Sequence, residues 1–377
     1  MDPWVKEHAA HVAARFERDL AALVAVSSPS GDVDGFEECA SVAAALAPEQ
    51  ATVQRPPCSS PDHAPDLLLR LRGDRGDGPR VLLLGHLDTV HHHQRHRPLS
   101  KDGDKLRGSG SVDMKGGDVF ALGALRALVE RRDGFAEVAL LLVADEEWRT
   151  TPFMHVEAFA GWDACLCFEA GQLADGEEAL IVRRKGAGTV RVLAHGRAAH
   201  SGSAPDRGRN ALLALGVAAR AVAGCHDPSG PDRVTAVPTV MNSGDAFNVV
   251  PAAGELLCDV RADRLEAIEA VAEAVPPEVD GVRLEVELVR RWPPMDSHEA
   301  TVGLLERAAE AAGRPIIPSG RGGASDASHF APAIPVTVDG LGPRGGAAHN
   351  PGEHVLVASV QPRAEIALAT TLAALQG

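Results

Sequence analysis

The chain has 377 residues, enough for two domains or one large one with a sizeable buried core. Apolar residues make up 45% of it, which argues against a disordered chain. The formal net charge of −15 argues against nucleic acid or an anionic membrane surface as a partner, and leaves acidity that bound cations can neutralise.

The opening Met1-Asp2-Pro3-Trp4-Val5-Lys6-Glu7-His8 lacks the basic-then-apolar layout of a signal peptide, and no apolar run approaches the length of a membrane span. A soluble, cytoplasmic protein is therefore expected. Val5, Ala9, Val12, Phe16, Leu20 and Leu23 recur at helical spacing and predict an amphipathic helix to about Val26. A second helical pattern runs from Gly35 to Leu46. Leu67 to Leu71 reads as a strand after a Pro-rich crossing. Val81 to Leu84 is a buried strand that ends in Gly85-His86-Leu87-Asp88, and extended backbone turns alternate side chains to one face, so His86 and Asp88 point the same way. The following His91 to His96 run has no spacing that fixes a metal geometry and reads as a solvated or substrate-facing loop.

Gly108 to Gly117 is a Gly-rich turn that carries Asp113 just ahead of a helix with Val119, Leu122, Leu125 and Leu128 on its apolar positions. Its order is wrong for a phosphate-binding loop, and an acid stands where an anion would bind. Val138 to Ala144 is another buried strand, ending in Asp145-Glu146-Glu147, and Asp163 to Phe168 repeats the device with Glu169. Cys165 and Cys167 inside that run form a C-x-C that reads as core packing. With Cys39, Cys58, Cys225 and Cys258 they lack framework spacing and read as reduced thiols.

From about Arg183 the rhythm becomes β-α-β-β-α-β, the order of a ferredoxin-like unit. The helix-strand alternation resumes after Trp292, with a helix from Ala300 to Ala312, a strand over Ala333 to Val338, a Gly-rich loop ending in His349 and a helix from Val360 to Leu375. The expected fold is α/β, a mixed and largely parallel sheet flanked by helices, split by an inserted α+β domain. The boundaries expected are 1–183 and 293–377 for the larger domain and 184–292 for the insert.

Ligand sites in such sheets lie beyond the carboxyl ends of the strands, where His86, Asp113, Glu147, Glu169 and His349 are delivered. Two imidazoles and three carboxylates suit a pair of divalent first-row ions, zinc foremost, with Co2+ or Mn2+ as substitutes. Asp113 is the candidate bridge. Of Glu146 and Glu147, one can bind metal while its neighbour serves as general base. Each acid taken singly also reads as a solvated strand-end cap.

GHLDTV at Gly85 to Val90, GSVDMKGG at Gly110 to Gly117, ADEE at Ala144 to Glu147, FEA at Phe168 to Ala170 and HSGSAPDRGRNAL at His200 to Leu212 resemble successive signatures of one family. It is the zinc-dependent aminoacylase and glutamate carboxypeptidase family, which also holds acetylornithine deacetylase and succinyl-diaminopimelate desuccinylase. The resemblance implies a two-zinc site with Asp113 bridging, His86 and Glu169 on one ion, and Glu147 and His349 on the other. It implies that Asp88 orients His86, that Glu146 is the general base, and that His200 reaches across a homodimer to polarise the substrate carbonyl. Asn248 and Arg261 resemble the residues that hold the substrate carboxylate, and Gly323 lies in a stretch like the family's Gly-rich substrate loop. A planar guanidinium matches a carboxylate with two parallel bonds.

The implied activity is release of a C-terminal amino acid by amide hydrolysis, with N-acyl amino acid deacylation, di- or tripeptide aminopeptidase action and a non-catalytic metal-binding scaffold as alternatives. The family's small residues after the glutamate pair are replaced here by Trp148-Arg149-Thr150, expected to narrow or re-charge the pocket.

Overall fold

Runs of apolar residues with no polar face become inner strands covered on both sides. In the computed structural model, which describes residues 1–376, Val81 to Leu84, Val138 to Val143 and Ala164 to Cys167 are all buried. They belong to a six-stranded sheet in the order Thr52–Gln54, Leu67–Arg72, Glu137–Val143, Arg80–His86, Ala164–Cys167, Thr337–Val338. The last four run parallel, and the first two add antiparallel pairs at one side. His86 stands opposite Val143 and Leu84 opposite Cys167. Parallel register thus brings the carboxyl ends of three strands, and the acids that follow them, to one edge.

The chain divides into two compact units. The first holds Met1–Arg183, Asp296–Gly320 and Ser325–Gly377; the second holds Arg184–Met295 and Arg321–Ala324. In the first, the helix Pro3–Val24 begins on Asp2, whose carboxylate accepts the N–H groups of Trp4 and Val5, and it buries Val5, Ala9, Val12, Phe16, Leu20 and Leu23. It packs against the helices Gly116–Leu128 and Val357–Ala374. Gly117 lets the helix Gly116–Leu128 approach the sheet edge, since a Cβ there would lie 1.7 Å from the Phe168 carbonyl oxygen. The predicted strand over Ala333 to Val338 shrinks to Thr337–Val338. Pro335 has no N–H to give a ladder, and Thr337 turns back, its N–H donating to the Pro335 carbonyl and its hydroxyl to that of Ile334.

The second unit is an antiparallel sheet in the order Thr235–Ser243, Ala253–Ala262, Gly186–His195, Val282–Trp292, extended by Glu278–Val279. Numbered along the β-α-β-β-α-β chain, its four long strands lie in the order 2-3-1-4. The helices Ala211–Gly224 and Leu265–Glu273 pack on it through Ala214, Leu215, Ala218 and Ile268. Among the described residues no helix is long and apolar enough to cross a membrane.

Candidate metal centre

His86 is the last residue of its strand and is fully buried. Its Nδ1 lies 3.0 Å from the Asp88 carbonyl oxygen and 3.3 Å from the Asp88 carboxylate. An Nδ1–H donated there leaves the Nε2 lone pair facing inward, the tautomer a metal ligand needs. The Asp88 carboxylate also accepts the main-chain N–H of Glu146 at 3.2 Å and of Glu147 at 3.1 Å. One acid therefore fixes both the histidine and the turn that carries the glutamate pair. Burial alone would raise the pKa of Asp88, but His86, Ser30 and the Glu147 N–H hold it below the usual carboxylate value.

Asp113 sits between the two imidazoles. One carboxylate oxygen is 3.3 Å from His86 Nε2 and the other 3.0 Å from His349 Nε2. Glu169 lies 3.8 Å from His86 Nε2, and Glu147 lies 3.1 Å from His349 Nε2. Ligand atoms of His86, Asp113 and Glu147 all fall within 4.8 Å of one another. Asp113 is held below the usual range: burial opposes this, but His349 and His86 outweigh it. His349 is pushed up to about 11 by its bonds to Asp113 and Glu147. Burial works against a charged His86 as well, yet Asp113, Asp88 and Glu146 raise it well above its ordinary value. Burial raises Glu146 strongly, reinforced by Asp326, Glu169 and Glu147 and offset in part by His86.

This donor set fits divalent metal. Five carboxylates, those of Asp88, Asp113, Glu146, Glu147 and Glu169, gather around two imidazoles, an excess of negative charge at low exposure. His86 Nε2 is buried without a hydrogen-bond partner although it points at two acids. Nitrogen and oxygen donors without thiolate suit zinc and its first-row neighbours.

The other sequence-derived residues lie in the second unit. His200 is exposed, and its Nδ1 accepts the N–H groups of Gly202 and Ser203, each at 3.1 Å, which places the ring proton on Nε2. Asn248 is exposed next to a fully exposed Phe247. Arg261 is paired with Asp259 two residues back on the same strand, at 3.0 Å. Gly323 accepts a hydrogen bond on its carbonyl from Arg184.

The expectation that Trp148 and Arg149 narrow or re-charge the pocket is corrected in part. Arg149 is wholly buried, ion-paired with Asp326, 3.7 Å from Asp145 and stacked over Phe153 at 4.1 Å. Its charge is neutralised inside the fold, while Trp148 stays 58% exposed.

Sequence reasoning assigns no role to Glu353, yet the fold gives it one. Its buried carboxylate accepts the N–H groups of Gly110 and Val112, each at 2.9 Å, and of Asp113 at 3.1 Å. It also meets His91 Nε2 at 2.9 Å. Gly110 takes a left-handed φ of +72°, which turns these N–H groups toward one point. The available signal was an acid four residues after a candidate ligand histidine.

An α/β fold with a metal-suited acid and histidine cluster at the parallel strand ends defines a hydrolase of the metallopeptidase kind. The chain belongs to Peptidase family M20/M25/M40, whose sequence profile matches residues 82–373. It is 28% identical over 366 residues to carboxypeptidase G2 of Pseudomonas sp. (strain RS-16), covering 92% of this chain and 86% of that one. To succinyl-diaminopimelate desuccinylase of Methylobacterium sp. (strain 4-46) it is 29% identical over 376 residues, covering 90% and 94%. Among solved structures, a tripeptidase from Staphylococcus aureus superposes with a TM-score of 0.77 at 21% identity, over 97% of this chain and 99% of that one. An M20 family metallo-carboxypeptidase from Sulfolobus solfataricus gives 0.74 at 15% identity, over 95% and 98%. The last two comparisons speak for the fold.

Proposed function

We propose that the protein is a two-zinc hydrolase that cleaves an amide bond to release a C-terminal amino acid. The observation that carries this reading is Asp113, whose two carboxylate oxygens face different histidines, His86 on one side and His349 on the other. Glu169 beside His86 and Glu147 beside His349 complete two donor groups that share Asp113. Two divalent ions held there supply Lewis acidity at the substrate carbonyl and lower the pKa of water.

The residues of the chain account for the remainder. Glu146, buried and held by its own N–H on Asp88, takes a proton from the attacking water as the C–O bond forms, and returns it to the departing nitrogen as the C–N bond breaks. The products are a carboxylate and a free amine. Asp88 keeps His86 and the glutamate turn in register. His200, with its proton on Nε2, donates to the developing oxyanion. Arg261 and Asn248 take the α-carboxylate of the released amino acid, with Arg261 sharing its guanidinium between substrate and Asp259; Gly323 belongs to the loop beside the substrate.

The reading includes a cytoplasmic homodimer built through the second unit, in which His200 serves the site of a second copy. Leu212, Leu213 and Val217 on one helix, and Val237, Val240 and Met241 on an edge strand, are exposed apolar residues suited to such an interface. Cleavage of an N-acyl amino acid is the second reading, favoured by the likeness to a desuccinylase.

Metal analysis of protein prepared without chelator is expected to give two zinc per chain, and Glu146→Gln is expected to keep the metal while losing turnover. Less than one zinc per chain, or full hydrolysis by Glu146→Gln, overturns the mechanism. Dipeptides compared with acetyl and succinyl amino acids separate the two substrate readings.

A further inference from the structure

The turn that carries Glu146 and Glu147 is closed on itself, because the Asp145 carbonyl accepts the N–H of Trp148 at 3.3 Å and of Arg149 at 2.8 Å. Residues four apart in such a turn share a face. Asp145 and Arg149 both point into the fold, while Glu147 between them reaches His349. Behind the turn lies a row of buried acids. Asp66 accepts the Ala144 N–H at 2.8 Å and meets His155 Nε2 at 2.6 Å. One Asp145 oxygen accepts both the N–H and the hydroxyl of Ser60, at 3.0 and 2.7 Å, and the other faces Arg149 Nε at 3.7 Å. Asp326, 3% exposed, takes the far end of the same guanidinium and is among the acids that act on Glu146.

Through Asp326 the brace crosses the sheet edge. Asp326 follows Ser325, whose hydroxyl donates to the carboxylate of Asp339, the residue after the edge strand Thr337–Val338. That strand stands three places from Glu137–Val143 in the sheet, past the strands that end at His86 and Cys167. The Phe153 ring lies under the Arg149 guanidinium at 4.1 Å and against Phe330 at 5.3 Å, so the plane of the cation is held as well as its charge. The small residues that the family carries after its glutamate pair offer no cation here, so the brace belongs to this chain's own sequence.

We propose, on the reading of Glu146 as general base, that Arg149 is a positioning residue for it: by bridging Asp145 and Asp326 it fixes the angle of the turn, and with it the distance from the Glu146 carboxylate to the attacking water. Arg149 is wholly buried and acts only through the turn. A planar guanidinium bonds two acids in fixed directions, whereas an ammonium is a point charge without that geometry. A loosened turn therefore costs rate in the chemical step more than substrate affinity.

Wild type, Arg149→Lys, Arg149→Met and Arg149→Met/Asp326→Asn are loaded with zinc and assayed, well below each unfolding midpoint, on the fastest of the dipeptides and the acetyl and succinyl amino acids. Arg149→Lys keeps the charge and is expected to lower kcat by about 10- to 100-fold, the scale of a misplaced reacting group, with KM within about threefold and zinc content unchanged. Removing both charges of the pair is expected to recover the unfolding midpoint lost in Arg149→Met, while kcat stays as low as in that variant. Wild-type kcat in Arg149→Lys, or recovery of kcat together with the midpoint in the double variant, overturns the proposal, since either shows that the buried charge alone matters. Cobalt-substituted proteins read the turn without turnover. Glu147 stands on the same turn, so the visible cobalt spectrum of Arg149→Lys is expected to differ from that of wild type, and identical spectra refute the brace. If the wild type hydrolyses nothing in the series, the hydrolase reading fails on its own, and the cobalt spectra still decide whether Arg149 places the turn.

Discussion

The Glu353 carboxylate accepts the main-chain N–H of Asp113 at 3.1 Å across 240 residues of sequence. Asp113 is thereby aimed from behind by an acid that follows the His349 loop, and the turn bearing one proposed ligand is fixed by the segment bearing another. Groups that orient ligands in this way commonly contribute about 10- to 100-fold to metal affinity. Glu353→Ala is expected to weaken metal binding by that factor in a chelator competition. Glu353→Gln replaces one acceptor oxygen with an NH2 group facing N–H donors and is expected to lose affinity too. Wild-type affinity in both variants would show that Asp113 is set by other contacts.

The His349 imidazole predicts how metal uptake depends on pH. His349 is raised from 6.5 to about 11, so without metal it holds its proton at pH 7, and the acids around His86 shift that imidazole in the same direction. Metal needs His349 neutral, and uptake at pH 7 is expected to release at least one proton per chain. Calorimetry in buffers of different ionisation enthalpy measures this, and zero release contradicts it. The sign for stability follows. A raised histidine contributes fully below about 6.5 and loses that contribution as pH climbs through about 11, so the Tm of metal-free protein should fall over this range.

Arg149 and Trp148 are neighbours with opposite fates. Removing Arg149 leaves Asp326 and Asp145 buried without their cation. Breaking a buried ion pair from one side costs about 3–5 kcal/mol, so Arg149→Ala should lose that much in denaturant unfolding. Trp148→Ala removes an exposed ring and is expected to stay within about 0.5 kcal/mol of wild type. Similar losses in the two variants would contradict this division.

Gly117 touches the metal cluster through packing. An alanine Cβ would sit 1.7 Å from the carbonyl oxygen of Phe168, the residue before Glu169, so helix and strand end must separate. Gly117→Ala is expected to cost about 1–3 kcal/mol in stability and to weaken metal binding through Glu169. A stable variant with wild-type metal affinity would mean the strand end yields without moving its acid.

Much of this architecture is legible locally because burial leaves a periodic trace. Apolar runs such as Val81 to Leu84 read as parallel strands, and the helical spacing of Val5 to Leu23 places that face correctly against the core. Local pattern fails where a distant partner decides. Ala333 to Val336 is as apolar as a strand, but Pro335 has no N–H to donate and the Thr337 N–H folds back onto the Pro335 carbonyl, which confines the strand to Thr337–Val338. Arg149 reads as a pocket charge until Asp326, 177 residues away, neutralises it.

Composition and local pattern carry the donor types and the elements that deliver them: His86 ends a strand, Glu147 and Glu169 follow strands, Asp113 lies in a Gly-rich turn, and His349 ends a loop. How they face one another depends on contacts between distant segments. Asp113 divides its two oxygens between His86 and His349 because the Gly110 to Asp113 backbone is pinned on Glu353. The glutamate turn holds its place because its N–H groups end on Asp88. Hydrogen bonds between segments so far apart leave no periodic signal in the chain, whereas the burial of a strand does.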